Sequence, residues 1–300
     1  MQIHKVPASH GARWFVQAVN VGARNPRAVF GAALLFVATL YLLMLATAVV
    51  AAMFLGAGAG GEPDKQQLMI AAVPVLAILL LAFPVLLGGL MHVIAEAEAG
   101  RPVRPIDLYA PFRLRKAGAL AGLGGVQVVL TVLGGLVLVA LAGSDFYVEA
   151  MRAALEGRVV AGGEPDHPGL MLLFQVLFNY FGTALMLLCV PLLMFGDAGL
   201  GAALRTALRA ALVNAPAYLL LGLLFMAALF VSALLVTAVN ALLLAVGGAV
   251  LGTLLSGALS FFYGAVVLMV LVGATLMAWR GTFQGNDAAP PPGNTLHVEA

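Results

Sequence analysis

The sequence predicts an all-α membrane protein with six transmembrane helices, in three helical hairpins that each follow a basic amphipathic interfacial helix. Of the 300 residues, 63% are hydrophobic and 9% are charged, whereas soluble domains carry about 25% charged residues. No Asp, Glu, Lys, Arg or His lies between Arg209 and Arg280. One span needs about 20 apolar residues, so this run is long enough for two spans and a turn.

The apolar runs of the chain define the six predicted spans. The first run is much longer than the roughly 7–15 apolar residues of a secretory signal peptide, so we expect it to remain as a span. Pro74 and Pro84 interrupt the second span and Pro191 lies near the end of the fourth, and each is expected to kink its helix. The predicted spans are 28–55, 68–94, 117–141, 169–195, 216–243 and 249–279.

Three polar, basic segments precede the predicted hairpins. In the first, Arg13, Gln17, Asn20 and Arg24 recur with a helical period and form one polar face. We expect such a segment to lie in the headgroup region, with Trp14 directed towards the acyl chains. The interfacial segments are 8–25, 95–117 and 196–214. The candidate contacts to headgroups and interface are Arg13, Trp14, Arg24, Arg27, Arg113, Arg115, Lys116, Arg205, Arg209 and Trp279.

The basic residues predict the orientation in the membrane. Six spans place both termini on one side, and twelve of the 15 basic residues fall on that side, against three, Lys65, Arg152 and Arg158, on the other. Because cytoplasmic segments are enriched in Lys and Arg, we expect both termini in the cytoplasm. Residues 281–300 contain three consecutive prolines and few apolar residues, so they are predicted to form a disordered cytoplasmic tail.

The sequence contains no pattern that is typical of catalysis or metal binding. Ionisable residues are missing from the middle of every predicted span, where they would mark an ion path or proton relay. The five histidines lack metal-ligand spacing, and Cys189 is the only cysteine. We find no phosphate-binding glycine loop and no nucleophile elbow. We therefore predict a protein without enzymatic activity, cofactor, metal or nucleic-acid partner.

Neutral polar residues within the predicted spans have two interpretations. They could line a polar pathway or a small-solute site, or they could form the hydrogen bonds that join neighbouring helices. We favour the second interpretation, because such bonds are common in helix bundles and each contributes only about 0.6–2 kcal/mol. The residues in question are Gln127, Thr131, Gln175, Asn179 and Asn240.

Small residues recur every four positions on the sixth predicted span. Spacing of this kind lets two helix backbones approach closely, so it predicts a buried packing face. The partner is expected to be another span of the same chain, with a second copy of the chain as the alternative. The residues of this stripe are Gly248, Gly252, Ser256, Ser260 and Gly264.

Four short motifs, in their order and spacing, resemble an uncharacterised family of bacterial six-span inner-membrane proteins. They are Gly-Ala-Arg-Trp at 11–14, Asn-Pro at 25–26, Gly-Arg-Pro-Val at 100–103 followed by Asp-Leu-Tyr-Ala-Pro-Phe-Arg at 107–113, and Ala-Leu-Arg-Thr-Ala-Leu-Arg at 203–209 followed by Asn214. The resemblance covers nearly the whole chain except the tail. It implies the bacterial cytoplasmic membrane, and it implies no activity or functional residue.

Two functions are compatible with these features. The first is a non-enzymatic membrane protein with an interaction, assembly or envelope-maintenance role, whose basic segments contact membrane lipids. Other membrane proteins, or a second copy of the chain, are the further partners this hypothesis allows. The alternative is a channel or uncoupled transporter for a small neutral or amphipathic solute, which discontinuous helices would favour.

Overall fold

A computed structural model describes residues 2–56, 65–143 and 165–284, together with Phe146, Glu149 and Ala153. Regular structure within these ranges is helical. The helices are α1 His10–Val19, α2 Pro26–Gly56, α3 Lys65–Glu98, α4 Ala110–Arg113, α5 Ala117–Ala142, α6 Pro168–Phe195, α7 Leu200–Val213, α8 Ala215–Gly247 and α9 Thr253–Phe283. A 3-10 turn, Pro105–Tyr109, precedes α4, and a π-helical segment, Gly248–Gly252, joins α8 to α9.

Local sequence explains where several of the long helices begin. The side-chain Oδ1 of Asn25 accepts a hydrogen bond from the Ala28 N–H at 3.2 Å, which satisfies one of the free donors at the start of α2. Pro26, Pro168 and Pro216 occupy the first turns of α2, α6 and α8, where the missing N–H costs nothing. Pro74, Pro84 and Pro191 lie inside helices, as the sequence predicted.

Five stretches of the described residues are long and apolar enough to cross a membrane, which confirms the prediction of a helical chain suited to a membrane. They are Pro26–Ala51, Val73–Glu98, Ala117–Ala142, Pro168–Phe195 and Ala215–Phe283. The last stretch has 69 residues, more than three times the roughly 20 residues that one span requires. It contains both α8 and α9, so the count of six spans depends on how this stretch is arranged.

Contacts between α8 and α9 show that the two helices run antiparallel. The hydroxyls of Ser232 and Tyr263 lie 2.9 Å apart, and Asn240 Nδ2 donates to Ser260 Oγ at 3.3 Å. The chain reverses at the π-helical segment, where Gly248 has a φ of +66°, a conformation that glycine adopts without strain. The reversal lies a few residues beyond the predicted end of the fifth span at 243.

Most buried side chains lie at one end of the helix bundle. They come from residues 28–36 of α2, 85–97 of α3, 188–194 of α6 and 272–279 of α9. We call this end the basic end, because α1, α4 and the basic residues that follow α3 pack there. Away from it the apolar side chains are exposed, with Met53 at 69% and Val246 at 80%, which suits a surface solvated by lipid.

The segment predicted as one interfacial helix at 95–117 has a different structure. Helix α3 continues to Glu98, and the 3-10 turn and α4 then pack against α2 and α3. Leu108 is fully buried, and Tyr109 Oη lies 2.7 Å from Thr39 Oγ1 of α2. Gly89 of α3 allows this approach, because a Cβ there would overlap the Leu108 carbonyl group. The segment is therefore part of the helix packing.

Helix α7 also differs from the predicted flat interfacial segment at 196–214. It packs along α6, and the Tyr180 hydroxyl of α6 donates to the Ala211 carbonyl at 2.8 Å. Tyr180 precedes the end of α6 by 15 residues, which is about 22 Å of helix. The small side chains of the buried face, Ala203, Ala207, Ala210 and Ala211, allow close packing. Arg205 and Arg209 lie on the exposed face.

The predicted tail begins later than expected. Helix α9 continues through Phe283, so residues 281–283 are helical. Residues 285–300 lie outside the described part of the chain, and the prediction for them stays a prediction.

Candidate functional site: a charged cleft at the basic end

Helix α1 is held against the start of α8 and the end of α9. Gly11 lies so close to α8 that a Cβ there would overlap the Ala217 carbonyl oxygen. Trp14 is 3% exposed and stacks on Tyr218, with the ring centroids 5.8 Å apart. This corrects the expectation that Trp14 is directed towards the acyl chains, because its ring fills the space between α8 and α9 instead.

The chain before α1 is fixed by a buried asparagine at the junction of α7 and α8. Asn214 has no exposed surface; its Oδ1 accepts from the Val6 N–H at 2.9 Å and its Nδ2 donates to the His4 carbonyl at 3.0 Å. The His4 N–H donates to the Thr282 carbonyl at 2.9 Å. The only sequence signal was a polar residue directly before an apolar span.

A cleft of about 1090 Å³ opens between α1 and the carboxyl ends of α3, α6 and α9. The polar face of α1, which was predicted to contact headgroups, forms one wall of it. Residues from α3 and from the turn after it form the opposite wall. The polar residues that line the cleft are His10, Arg13, Gln17, Asn20, Arg24, His92, Glu96, Glu98, Arg101, Arg280 and Gln284.

Two ion pairs and one hydrogen bond to the main chain order the walls of this cleft. Arg280 of α9 pairs with Glu98 of α3, and Arg24 donates to the Glu98 main-chain carbonyl. Arg101 Nη2 donates to Glu96 Oε1 at 2.6 Å, and the pairing raises the pKa of the Arg101 guanidinium. Each carboxylate of the cleft therefore has an arginine partner, which links the ends of α3 and α9.

The floor of the cleft is apolar. Met194, Phe195, Leu276 and Met277 contribute to it, and the Phe195 and Trp279 rings lie 5.3 Å apart. Trp279 was predicted to be an interface anchor, but it is only 4% exposed. Helix α9 enters the buried core at this point, which explains the difference.

Two of the other predicted interface residues have partners at the basic end. Arg113 pairs with Asp107, and Lys116 Nζ donates to the Gly196 carbonyl at 2.7 Å, beyond the end of α6. The Arg104 N–H, at 2.9 Å, and the Arg113 guanidinium both donate to Asp107, and they lower the pKa of its carboxyl group. The residues that remain exposed are Arg13, Arg24, Arg27, Arg113, Arg115, Arg205 and Arg209.

The neutral polar residues of the spans are not joined into one network. Asn240 bonds to Ser260, and Ser256 Oγ donates to the Asn240 carbonyl at 3.4 Å, so these bonds join α8 to α9. No side-chain hydrogen bond to another described residue is made by Gln127, Thr131, Gln175 or Asn179. Gln175 and Asn179 are exposed on α6.

The stripe of small residues faces α8 over part of its length. A Cβ on Gly252 would lie 2.7 Å from the Leu243 carbonyl oxygen, and Ser256 and Ser260 bond to Asn240. Gly248 lies at the reversal and has no neighbour within 4 Å of a built Cβ, and neither does Gly264. The packing role within the chain therefore applies to the middle of the stripe.

Among the described residues, no group of three His, Cys, Asp or Glu side chains is placed to hold a metal ion. Comparison of the chain with protein-family models, curated proteins and solved structures gives no significant match. The structure therefore defines a class, a helical protein with several membrane-compatible helices, and the family resemblance stays a prediction.

Proposed function

We propose that this chain is a non-enzymatic, six-span protein of the bacterial inner membrane, with both termini in the cytoplasm. Its role is interaction, assembly or envelope maintenance, and its working surface is the basic end. The antiparallel contacts between α8 and α9 support the count of six spans. The concentration of cationic residues at one end supports the orientation, since cytoplasmic segments carry excess Lys and Arg.

The position of the packed core is the observation that carries this proposal. The helices bury their side chains at the basic end and expose apolar side chains elsewhere. A surface that is both rigid and charged is suited to contacts with headgroups or with another protein, because its groups are already ordered before binding. Membrane lipids are the first expected partners, at about 1 kcal/mol for each cation near an anionic surface.

Simultaneous replacement of four exposed arginines tests the proposal. The variant Arg13→Gln, Arg24→Gln, Arg205→Gln, Arg209→Gln removes cations from α1 and α7. We expect it to lose most of the anionic lipid that co-purifies with the wild-type protein, and to lose cross-links to neighbouring proteins in native membranes. Wild-type levels of both lipid and cross-links would contradict the proposal.

A channel or uncoupled transporter is the second candidate. The exposed, unbonded Gln175 and Asn179 on the proline-containing helix α6 favour it. In a Cys189→Ser background, a cysteine at either position would react quickly with a membrane-impermeant thiol reagent if water reached it. If cysteines at both positions are protected from the reagent while a loop cysteine is labelled rapidly, the result favours the interaction role over transport.

A further inference from the structure

The wall of the cleft formed by α1 and the turn after it carries an excess of positive charge. The two carboxylates of the opposite wall are already paired, Glu96 with Arg101 and Glu98 with Arg280. The Arg24 side chain donates only to the Glu98 main-chain carbonyl, and the Arg13 guanidinium has no hydrogen-bond or ion-pair partner in the described part of the chain. Two guanidinium groups on one wall are thus available to an anion, and Arg groups match the oxygens of a phosphate well.

The apolar floor indicates that the ligand of the cleft is an amphiphile and not an inorganic ion. Phe195 and the 9% exposed Met277 give the cleft a hydrocarbon surface beneath its charged rim, whereas Leu276 has no exposed surface. A free inorganic ion would leave this surface empty, whereas the first carbons of a lipid would cover it. The volume of about 1090 Å³ is comparable with the upper end of small-molecule sites, roughly 1,000 Å³.

We propose that this cleft binds the phosphate headgroup of a membrane lipid. Arg13 and Arg24 would contact the phosphate oxygens, and the glycerol and first acyl carbons would lie on the apolar floor. The inference rests on the proposed function, because it names a specific ligand site on the same basic end. It differs from general headgroup attraction in predicting one saturable site.

The test is a lipid titration of the purified, delipidated protein in a neutral detergent, followed by native mass spectrometry. Dioleoyl-phosphatidylglycerol is the probe, and dioleoylglycerol is the control without phosphate. We expect one tightly bound phosphatidylglycerol per chain and no comparable binding of dioleoylglycerol. Binding of many phosphatidylglycerol molecules with equal affinity, or equal binding of dioleoylglycerol, would overturn the proposal.

Two matched double variants separate the cleft from the rest of the basic surface. The double variant Arg13→Gln, Arg24→Gln is expected to raise the Kd for phosphatidylglycerol about 30-fold, because each cation contributes about 1 kcal/mol to lipid binding. Arg205→Gln with Arg209→Gln removes the same charge from α7, outside the cleft, and should leave the Kd within about twofold. Equal weakening by both pairs would support the general basic surface and contradict the cleft site. No weakening by either pair would contradict both proposals.

A further measurement addresses the source of the phosphate. Glycerol phosphate and inorganic phosphate should compete weakly; competition at the affinity of the lipid would assign the site to a soluble phosphate and overturn the lipid assignment.

Discussion

At the scale of single residues, the side chain of Asn214 bridges the junction of α7 and α8 to the main chain of His4 and Val6. Both bonds are part-buried, and an amide is the one small side chain that offers a donor and an acceptor side by side. The preceding segment could not indicate this role, because the partners lie 208 and 210 residues away.

Asn214→Ala is expected to lower the free energy of unfolding by about 2 kcal/mol, because it removes two part-buried hydrogen bonds that hold the chain before α1. Thermal unfolding in detergent would measure the change. Asn240→Ala is the matched control, since Asn240 donates one long bond of 3.3 Å, worth about 0.6 kcal/mol. Equal effects of the two substitutions would contradict the role assigned to Asn214.

Two helical glycines offer a second comparison. A methyl group at Gly89 would overlap the Leu108 carbonyl, whereas one at Gly118 would meet nothing within 4 Å. Gly89→Ala is therefore expected to destabilise the protein by about 3 kcal/mol through overpacking. Gly118→Ala should be neutral or stabilise it by up to about 1 kcal/mol. The unfolding temperatures of both variants are measured in detergent. If the two substitutions lower the temperature equally, the turn before α4 does not pack on α3 as described.

At the scale of elements, the turn before α4 depends on the charge of Asp107. The Arg104 N–H and Arg113 hold the pKa of this carboxyl below its ordinary value of 3.8. A lowered pKa means that ionised Asp107 stabilises the folded state at pH values above about 4, and that this contribution is lost as the pH falls through the lowered pKa. The turn is therefore an acid-sensitive element.

We expect Asp107→Asn to lower the unfolding temperature at pH 7 and to reduce its dependence on pH below about 4. Asp197→Asn, on an exposed residue of the same end, serves as the control and should change neither. Wild-type and Asp107→Asn proteins with parallel stability curves through the acid range would contradict the role of this carboxylate.

At the scale of the whole molecule, the number of spans rests on the reversal between α8 and α9. If Ala215–Phe283 crosses the membrane twice, Val250, which is 76% exposed at the reversal, lies on the side opposite Ser9 and Gln284. In a Cys189→Ser background, we expect Val250→Cys to be labelled from outside intact cells by an impermeant thiol reagent. Ser9→Cys and Gln284→Cys should react only after the membrane is opened. Labelling of all three from one side would contradict six spans.

Composition and hydrophobic pattern were sufficient to predict the class of the chain. An uncharged run from 210 to 279 favours helices in a membrane, because a helix satisfies each backbone group within its own segment. The sequence also indicated the polar face of α1 and the helix starts that are marked by proline, since both depend on near neighbours in the sequence. The spacing of Gly252, Ser256 and Ser260 indicated the packing between α8 and α9 for the same reason.

Only the tertiary structure decided what each polar or aromatic residue contacts. Tryptophan is a residue type that commonly anchors a protein at the membrane interface, yet helices distant in sequence bury the rings of both Trp14 and Trp279. Helix α7 has the amphipathic pattern of a surface segment, yet its alanine face packs along α6. The cleft with Arg13, Arg24 and Trp279 joins residues more than 250 positions apart, and a linear pattern carries no information about such distances.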